Sequence, residues 1–343
     1  MNQSTARRPE PLDALREWGG PAQMSAFEAS MWLAEADPRL RTTVTGVMVL
    51  DRAPDWQRLV DGHQRMVNAV VRLRQRVLEP ALGLGLPQWV DDPDFQLQYH
   101  LRRQTLAAPG TQRQLLDMAQ IFAMTPFDRS RPPWEGMVVE GLENGRAAYV
   151  LKLHHVLSDG IGLTQLFAHA VSQQRESRGL PVGAAPRRAD AAQSALELAA
   201  HNARQRVREL PGSTLGALAH SLEVASTFLR RPDATQEIRD YLHSAGRIVA
   251  TRPVAGSPIL RRRSRAWRFD PIELPFAGLK TAAHTLEASI NDVFLAGLLG
   301  GLRRYHDEMG VQIDQMPIAF PISLRKQGDA AGGNHFAGAQ YAA

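Results

Sequence analysis

Between Gly136 and His155 the chain reads GMVVEGLENGRAAYVLKLHH: two apolar, β-prone runs on either side of Glu143-Asn144-Gly145. Asn-Gly accepts the left-handed backbone of a tight turn, so the segment predicts an antiparallel hairpin. This hairpin narrows the possible folds sharply, because its second arm ends on two adjacent histidines. Val156-Leu157-Ser158-Asp159-Gly160 follows, and IGLTQLFAHAV then takes helical spacing. Strand, sharp turn and helix therefore succeed one another within about twenty residues.

The surrounding pattern alternates helices and strands. MSAFEASMWLAEAD predicts a helix with Ser25 as N-cap and Glu28 placed to close a capping box. TTVTGVMVL is rich in β-branched residues and predicts a strand. DWQRLVDGHQRMVNAV has helical spacing despite Gly62, and VRLRQRVL alternates as a strand with one wet face would. TQRQLLDMAQIFAM predicts another amphipathic helix, stopped by Pro126.

A chain of 343 residues exceeds one simple core and suggests two lobes. With 44% hydrophobic and 22% charged residues it fits neither a disordered nor a collagen-like class. Zero cysteines exclude disulfides, thiolate nucleophiles and thiolate-bound zinc. MNQSTARRPEPLDALREWGG has no apolar segment of the secretory kind, and no apolar run reaches the roughly 18 residues of a spanning helix. The net charge of +5 comes with arginine clusters, notably Arg261 to Arg265, that suit anionic headgroups, cofactor phosphates or plain solvent. No nucleic-acid motif accompanies them, so nucleic acid is not an expected partner. Arg204, Arg206 and Arg208 read as a solvated helix face.

The chemistry of HHVLSDG is open at this point. Neighbouring strand residues face opposite ways, so His154 and His155 cannot share one metal without a break in the strand. The HExxH spacing is absent, and Ser158 is not in a GxSxG elbow. What remains is an imidazole at a strand end, able to take a proton from a hydroxyl or thiol. A satisfied core histidine is the alternative for His155. It is the default for His154, with a hydrogen-bonding support role as the sharper option, and for His63, His100, His169 and His201. Asp159 could fix the turn or order a histidine, and Gly160 permits an unusual angle or a close approach.

HHVLSDG resembles the HHxxxDG motif of the bacterial wax ester synthase/diacylglycerol acyltransferase family, within the CoA-dependent acyltransferase superfamily. Four further segments are similar to the family's in order. They are MSAFEASMWLAEAD, FDRSRPPWEG (Pro133 where leucine is usual), SINDVFLAGLLGG, and PIAFPISLRKQGDAAGGN (Ile322 where valine is usual). The resemblance implies an α/β (α+β) two-lobe, chloramphenicol acetyltransferase-like fold with mixed sheets flanked by helices. It implies a second lobe that continues past Gly-Gly-Asn, so an incomplete second lobe is the expectation here.

By the same resemblance, His155 is the general base, with His154 beside it. Asp159 turns from the substrate to pair with an arginine, for which Arg325 is the candidate. Gly160 follows the aspartate where a side chain would obstruct. Asn291 positions substrate or polarises the carbonyl, unless it is merely a helix N-cap. Asn334, with Gly333, falls in the Gly-Gly-Asn motif and joins the substrate-binding set, while Trp134 and Glu135 are structural.

The implied reaction moves a long-chain acyl group from acyl-CoA, a co-substrate, to a fatty alcohol or diacylglycerol, with no metal or cofactor. A non-catalytic relative that binds acyl-CoA or lipid, or an acyltransferase with another acceptor, are the alternatives. Expected divisions are a flexible tail over 1–23, a first lobe over 24–180, a helical crossover over 181–262 and a partial second lobe over 263–343. The expected setting is cytoplasmic, at the periphery of the inner membrane or of lipid inclusions.

Overall fold

The computed structural model describes residues 15, 18–170, 194–209, 256–261, 264–325, 332–334 and 336–342. These fall into two compact units. The first comprises Met1–Leu210 with Arg265–Phe269 and Arg325–His335, and the second Pro211–Ser264, Asp270–Leu324 and Phe336–Ala343.

In the first unit, the helix α1 (Ala26–Ala34) precedes the strand β1 (Thr43–Leu50) and the helix α2 (Trp56–Ala69). The short strands β2 (Gln75–Leu78) and β3 (Gln88–Asp91) follow, then the single turn α3 (Leu97–His100) and the strand β4 (Leu101–Thr105). The helix α4 (Gln112–Met124) leads into the hairpin β5 (Trp134–Glu140) and β6 (Ala147–His154). The helices α5 (Gly160–Ala170) and α6 (Ala195–Glu209) complete the set. The main sheet has the order β1-β6-β5-β4 and is mixed: β6 runs antiparallel to both neighbours, while β4 and β5 are parallel. A separate antiparallel ribbon joins β2 to β3.

The hairpin forms as its turn chemistry predicts, with Asn144 and Gly145 at φ of 62° and 68°. Side chains alternate along β6. Tyr149, Leu151 and Leu153 join the core under α2, whereas Ala148 and Val150 join a second core with Leu115, Ala119 and Phe122 of α4. Lys152 shares the α4 side and is fully buried, held by Glu135 at 2.8 Å and lying over Phe122 and Phe127. Glu135 also takes Arg102 at 2.8 Å, so its structural reading gains a concrete form.

Two expectations change. Val71–Arg74 is a 3-10 turn and not the start of a strand, since β2 begins only at Gln75. Arg72 is buried there, stacked on Trp89 and donating to the carbonyls of Gly19, Gly20 and Pro21. Satisfying three carbonyls outweighs keeping a wet face, and burial lowers the Arg72 guanidinium to about 10. Leu15 and Trp18 are likewise core residues, so the stretch expected as a flexible tail is anchored at both. The helix α6 packs on the first unit, with Leu198 buried and Asn202 donating to the carbonyls of Leu84 and Leu86. Most of the expected crossover over 181–262 lies outside the described residues, as do Arg262, Arg263 and the side chains of Arg206, Arg208 and His169. Arg204 is exposed as expected.

The second unit contains the helices α7 (Phe276–Thr285) and α8 (Ile290–Glu308) and the antiparallel pair β7 (Pro317–Ser323) and β8 (Phe336–Ala342). Asn291 does not cap α8. Ser289 does, accepting from the Asp292 N–H at 3.1 Å, while the Asp292 carboxylate accepts from the Ser289 N–H at 2.8 Å. The expected consequence separates capping from any other role. Ser289→Ala should cost about 1 kcal/mol of stability in a denaturant titration, whereas exposed Asn291→Ala should leave it unchanged.

Candidate active site

The site is built where β6 ends. His154 is the last strand residue, and His155–Leu157 breaks into a 3-10 turn. The His155 N–H donates to the Thr42 carbonyl at 3.0 Å, which ties the turn to β1. Within 152–159 every residue is buried except His155, which is only half-buried. The two imidazoles therefore have different prospects.

His154 is wholly inside, between Trp32 and Phe127. Its Nδ1 accepts from the Val156 N–H at 3.1 Å, so its Nε2 carries the proton and donates to Glu35 at 3.1 Å. Both ring nitrogens are thus committed to holding the turn, which is the support role. Burial works to raise the Glu35 carboxyl, but the bond from His154, the Thr42 N–H and the Arg41 charge together hold it below the ordinary range. Glu35 therefore contributes stability throughout neutral pH, and that contribution fades only as acid titrates it.

His155 Nδ1 lies 3.1 Å from Asn334 Oδ1. The Asn334 amide nitrogen is 3.1 Å from Glu28 Oε1 and 3.2 Å from the Val156 carbonyl. Glu28 meanwhile closes the predicted box, its other oxygen accepting from the Ser25 N–H at 2.9 Å. Asp159 turns to Arg325 at 2.9 Å, and the same guanidinium takes the carbonyls of Gly332 at 2.7 Å and Gly333 at 3.0 Å. The Asp159 N–H donates back to Gly333 at 3.0 Å, and Asp159 Oδ1 caps the Gly162 N–H at 2.8 Å. His155, Asn334, Asp159 and Arg325 are thereby brought together in one unit. Asn291 lies in the second unit, exposed on α8.

The glycine with close neighbours lies two residues further on than expected. Gly160 opens α5 exposed, with no positive φ, and a Cβ there would meet nothing within 4 Å. A Cβ on Gly162 would come within 2.1 Å of Ser158 Oγ and 2.8 Å of the Gly332 Cα. Trp18 closes this corner, its indole N–H donating to the Gly162 carbonyl at 3.1 Å. The sequence offered no signal for Trp18, while IG at 161–162 is a weak one for Gly162. Gly162→Ala should lose about 1–3 kcal/mol in thermal unfolding through overpacking against backbone; Gly160→Ala should unfold like the parent.

Beside the site, a cavity of about 980 Å³ lies against the α2-facing side of β6. Leu59, Met66, Leu151, Leu153, Leu157 and Leu163 are among the apolar residues that line it. Leu153 and Leu157 are chain neighbours of the histidine pair. His63 and Tyr149 sit in its wall, bonded to each other at 2.7 Å, with His63 Nδ1 donating to the Leu59 carbonyl at 2.9 Å. Burial lowers the His63 imidazole and raises the Tyr149 phenol, so both are neutral at physiological pH. This matches the core reading of His63, as does His100, stacked on Trp134 and bonded to its carbonyl at 2.7 Å. His201 differs: it is exposed on α6.

Residues 24–294 match the family described as wax ester synthase/diacylglycerol acyltransferase catalytic domain. A Mycobacterium tuberculosis protein named as a candidate diacylglycerol O-acyltransferase is 38% identical over 326 residues, which cover 94% of this chain and 65% of that one. Another from the same organism, similarly named, is 30% identical over 308 residues, 86% of this chain and 62% of that one. This chain thus spans about two thirds or less of the length of these relatives. Among solved structures, the wax ester synthase/diacylglycerol acyltransferase from Marinobacter aquaeolei aligns with a TM-score of 0.55 at 20% identity, over 87% of this chain and 63% of that one. The first condensation domain of the CDA synthetase aligns with a TM-score of 0.59 at 18% identity, over 94% and 69%. These two likenesses concern the fold, a mixed α/β architecture with helices on its sheets.

Proposed function

The chain belongs to the wax ester synthase/diacylglycerol acyltransferase family, and on that premise we propose that it transfers a long-chain acyl group from acyl-CoA to a fatty alcohol or diacylglycerol. The observation that carries this reading is His155, the one partly accessible residue in an otherwise buried turn, held through Nδ1. Its Nε2 takes the proton of the acceptor hydroxyl as the oxygen attacks the thioester carbonyl. The tetrahedral intermediate then collapses, the C–S bond breaks, and CoA thiolate leaves with the proton from the imidazolium. A thioester is already activated, so alignment and oxyanion stabilisation are the remaining requirements. Asn291 is the proposed carbonyl-polarising residue.

The cavity supports a lipid substrate, since its size falls within the usual range for ligand sites and leucines line it beside the neutral His63–Tyr149 pair, with Asp51, Arg52, Asp55, Arg58 and Arg65 also in its wall. No helix among the described residues is long and apolar enough to cross a membrane. Because its acceptors reside in lipid, the protein would work at the surface of the inner membrane or of lipid inclusions, from the cytoplasm.

The test incubates the purified chain with labelled palmitoyl-CoA and either hexadecanol or diacylglycerol. Labelled wax ester or triacylglycerol is expected, and no ester with either acceptor would overturn the reading. The cavity also suits a second reading, binding without turnover. Saturable palmitoyl-CoA binding with no ester formed would select it.

A further inference from the structure

We infer that Asn334, backed by Glu28, is a positioning residue that locks His155 in the Nδ1–H tautomer and so presents Nε2 as the proton acceptor. For its catalytic meaning this rests on His155 being the base; its geometry stands alone.

Asn334 Nδ2 faces the Glu28 carboxylate at 3.1 Å and the Val156 carbonyl at 3.2 Å. Both are acceptors, so the two amide hydrogens are accounted for. Flipping the amide would aim its oxygen at two other oxygens. Oδ1 must therefore face His155, and an acceptor at 3.1 Å requires a proton on Nδ1. The remaining ring nitrogen, Nε2, then carries the lone pair.

Neutral imidazole chooses between its tautomers according to what the other nitrogen bonds. The neighbouring ring makes the point. His154 accepts at Nδ1 from Val156 N–H, so it is held in the opposite tautomer, with Nε2–H toward Glu35. Val156 serves both: its N–H fixes His154 and its carbonyl helps fix the amide that fixes His155.

Glu28 gives the arrangement rigidity. One carboxylate oxygen is tied to the Ser25 N-cap at 2.9 Å and the other receives Asn334. The capping box of α1 thus fixes the amide, and the amide fixes the imidazole. In the Ser-His-Asp arrangement a carboxylate holds this nitrogen. Here the direct partner is a neutral amide, with the carboxylate one bond further out. Asn334 is therefore reassigned from binding substrate to orienting the base.

The test needs no turnover. The protein carrying 15N-labelled histidine is studied by long-range 15N–1H correlation at a pH where the rings are neutral. His155 is expected to show a protonated Nδ1 and a bare Nε2, with His154 showing the reverse in the same spectrum. In Asn334→Leu, the His155 signals should move toward the Nε2–H pattern while His154 stays put. Asn334→Ala, which also removes the acceptor but adds no bulk, should show the same shift and serves if the leucine variant fails to fold.

In ester formation, Asn334→Leu should lower kcat about 10- to 100-fold, with KM for palmitoyl-CoA within about twofold. A wild-type His155 with Nε2–H, or an Asn334→Leu protein with unchanged tautomer and a raised KM, overturns the inference and restores a substrate-binding role. A tautomer that depends on Asn334 in a protein making no ester upholds the inference while removing the acyltransferase reading.

Discussion

His155→Ala is expected to lower kcat for ester formation by about 10²- to 10⁴-fold, the span of one general base. KM for palmitoyl-CoA and the unfolding midpoint should barely change. The ring is half-buried at the turn, and the side chain it bonds through Nδ1 keeps two other partners. His154→Ala should behave the other way. Its ring is sealed between Trp32 and Phe127, and its loss removes the acceptor for Val156 N–H and a donor to Glu35. Leaving the Val156 N–H unpaired in the interior costs about 1–3 kcal/mol, and Glu35 loses one donor while keeping the Thr42 N–H, so His154→Ala should fail mainly by unfolding. The pair separates chemistry from architecture within two adjacent residues. Steady-state rates and thermal unfolding on both variants decide it: equal ester yields from His155→Ala and the parent would remove the proposed base.

Why one histidine and not its neighbour could be singled out is a question of range. The hairpin, the strand end and the turn are local, written in Asn144-Gly145 and in the alternation of β6, and the sequence conveys them. Glu28 was equally legible as half of a capping box. Its second contact, to Asn334 across 306 positions, was not, because no local period encodes a long-range side-chain bond. Trp18 and Arg72 were misread for the same reason. An apolar residue in a polar, proline-containing stretch and an arginine in an alternating run carry no local sign of their partners. The glycine error has another origin. The resemblance pointed to Gly160, but the steric constraint falls on Gly162 and comes from Ser158 Oγ and from Gly332, the latter brought alongside only in the fold. The reading of Asn291 as a cap missed by two residues. The box pattern Ser-x-x-Asp at 289–292 was present, and an acidic third residue was the better cue.

Arg325→Leu should be the most destabilising single change at the site, costing about 3–5 kcal/mol. The pair it breaks is nearly dry, with the Arg325 and Asp159 side chains 10% and 8% exposed. Removing the guanidinium strips a buried carboxylate of its charge partner and also releases the carbonyls of Gly332 and Gly333. Those two glycines lead directly into Asn334, so the loss should loosen the amide that faces His155. The expected signature is a fall in unfolding midpoint together with a fall in kcat.

If Asp159 acted on substrate, replacing it would abolish activity whatever its partner. If it is structural, the double variant Asp159→Leu/Arg325→Leu should be more stable than Arg325→Leu alone, because no buried charge is then stranded. That double variant should also regain part of the lost rate in proportion to the stability recovered. Unfolding and ester-formation rates measured across the two single variants and the double give the coupling directly. A coupling near zero would mean that the aspartate of HHVLSDG does something other than clamp the turn to the Gly-Gly-Asn segment.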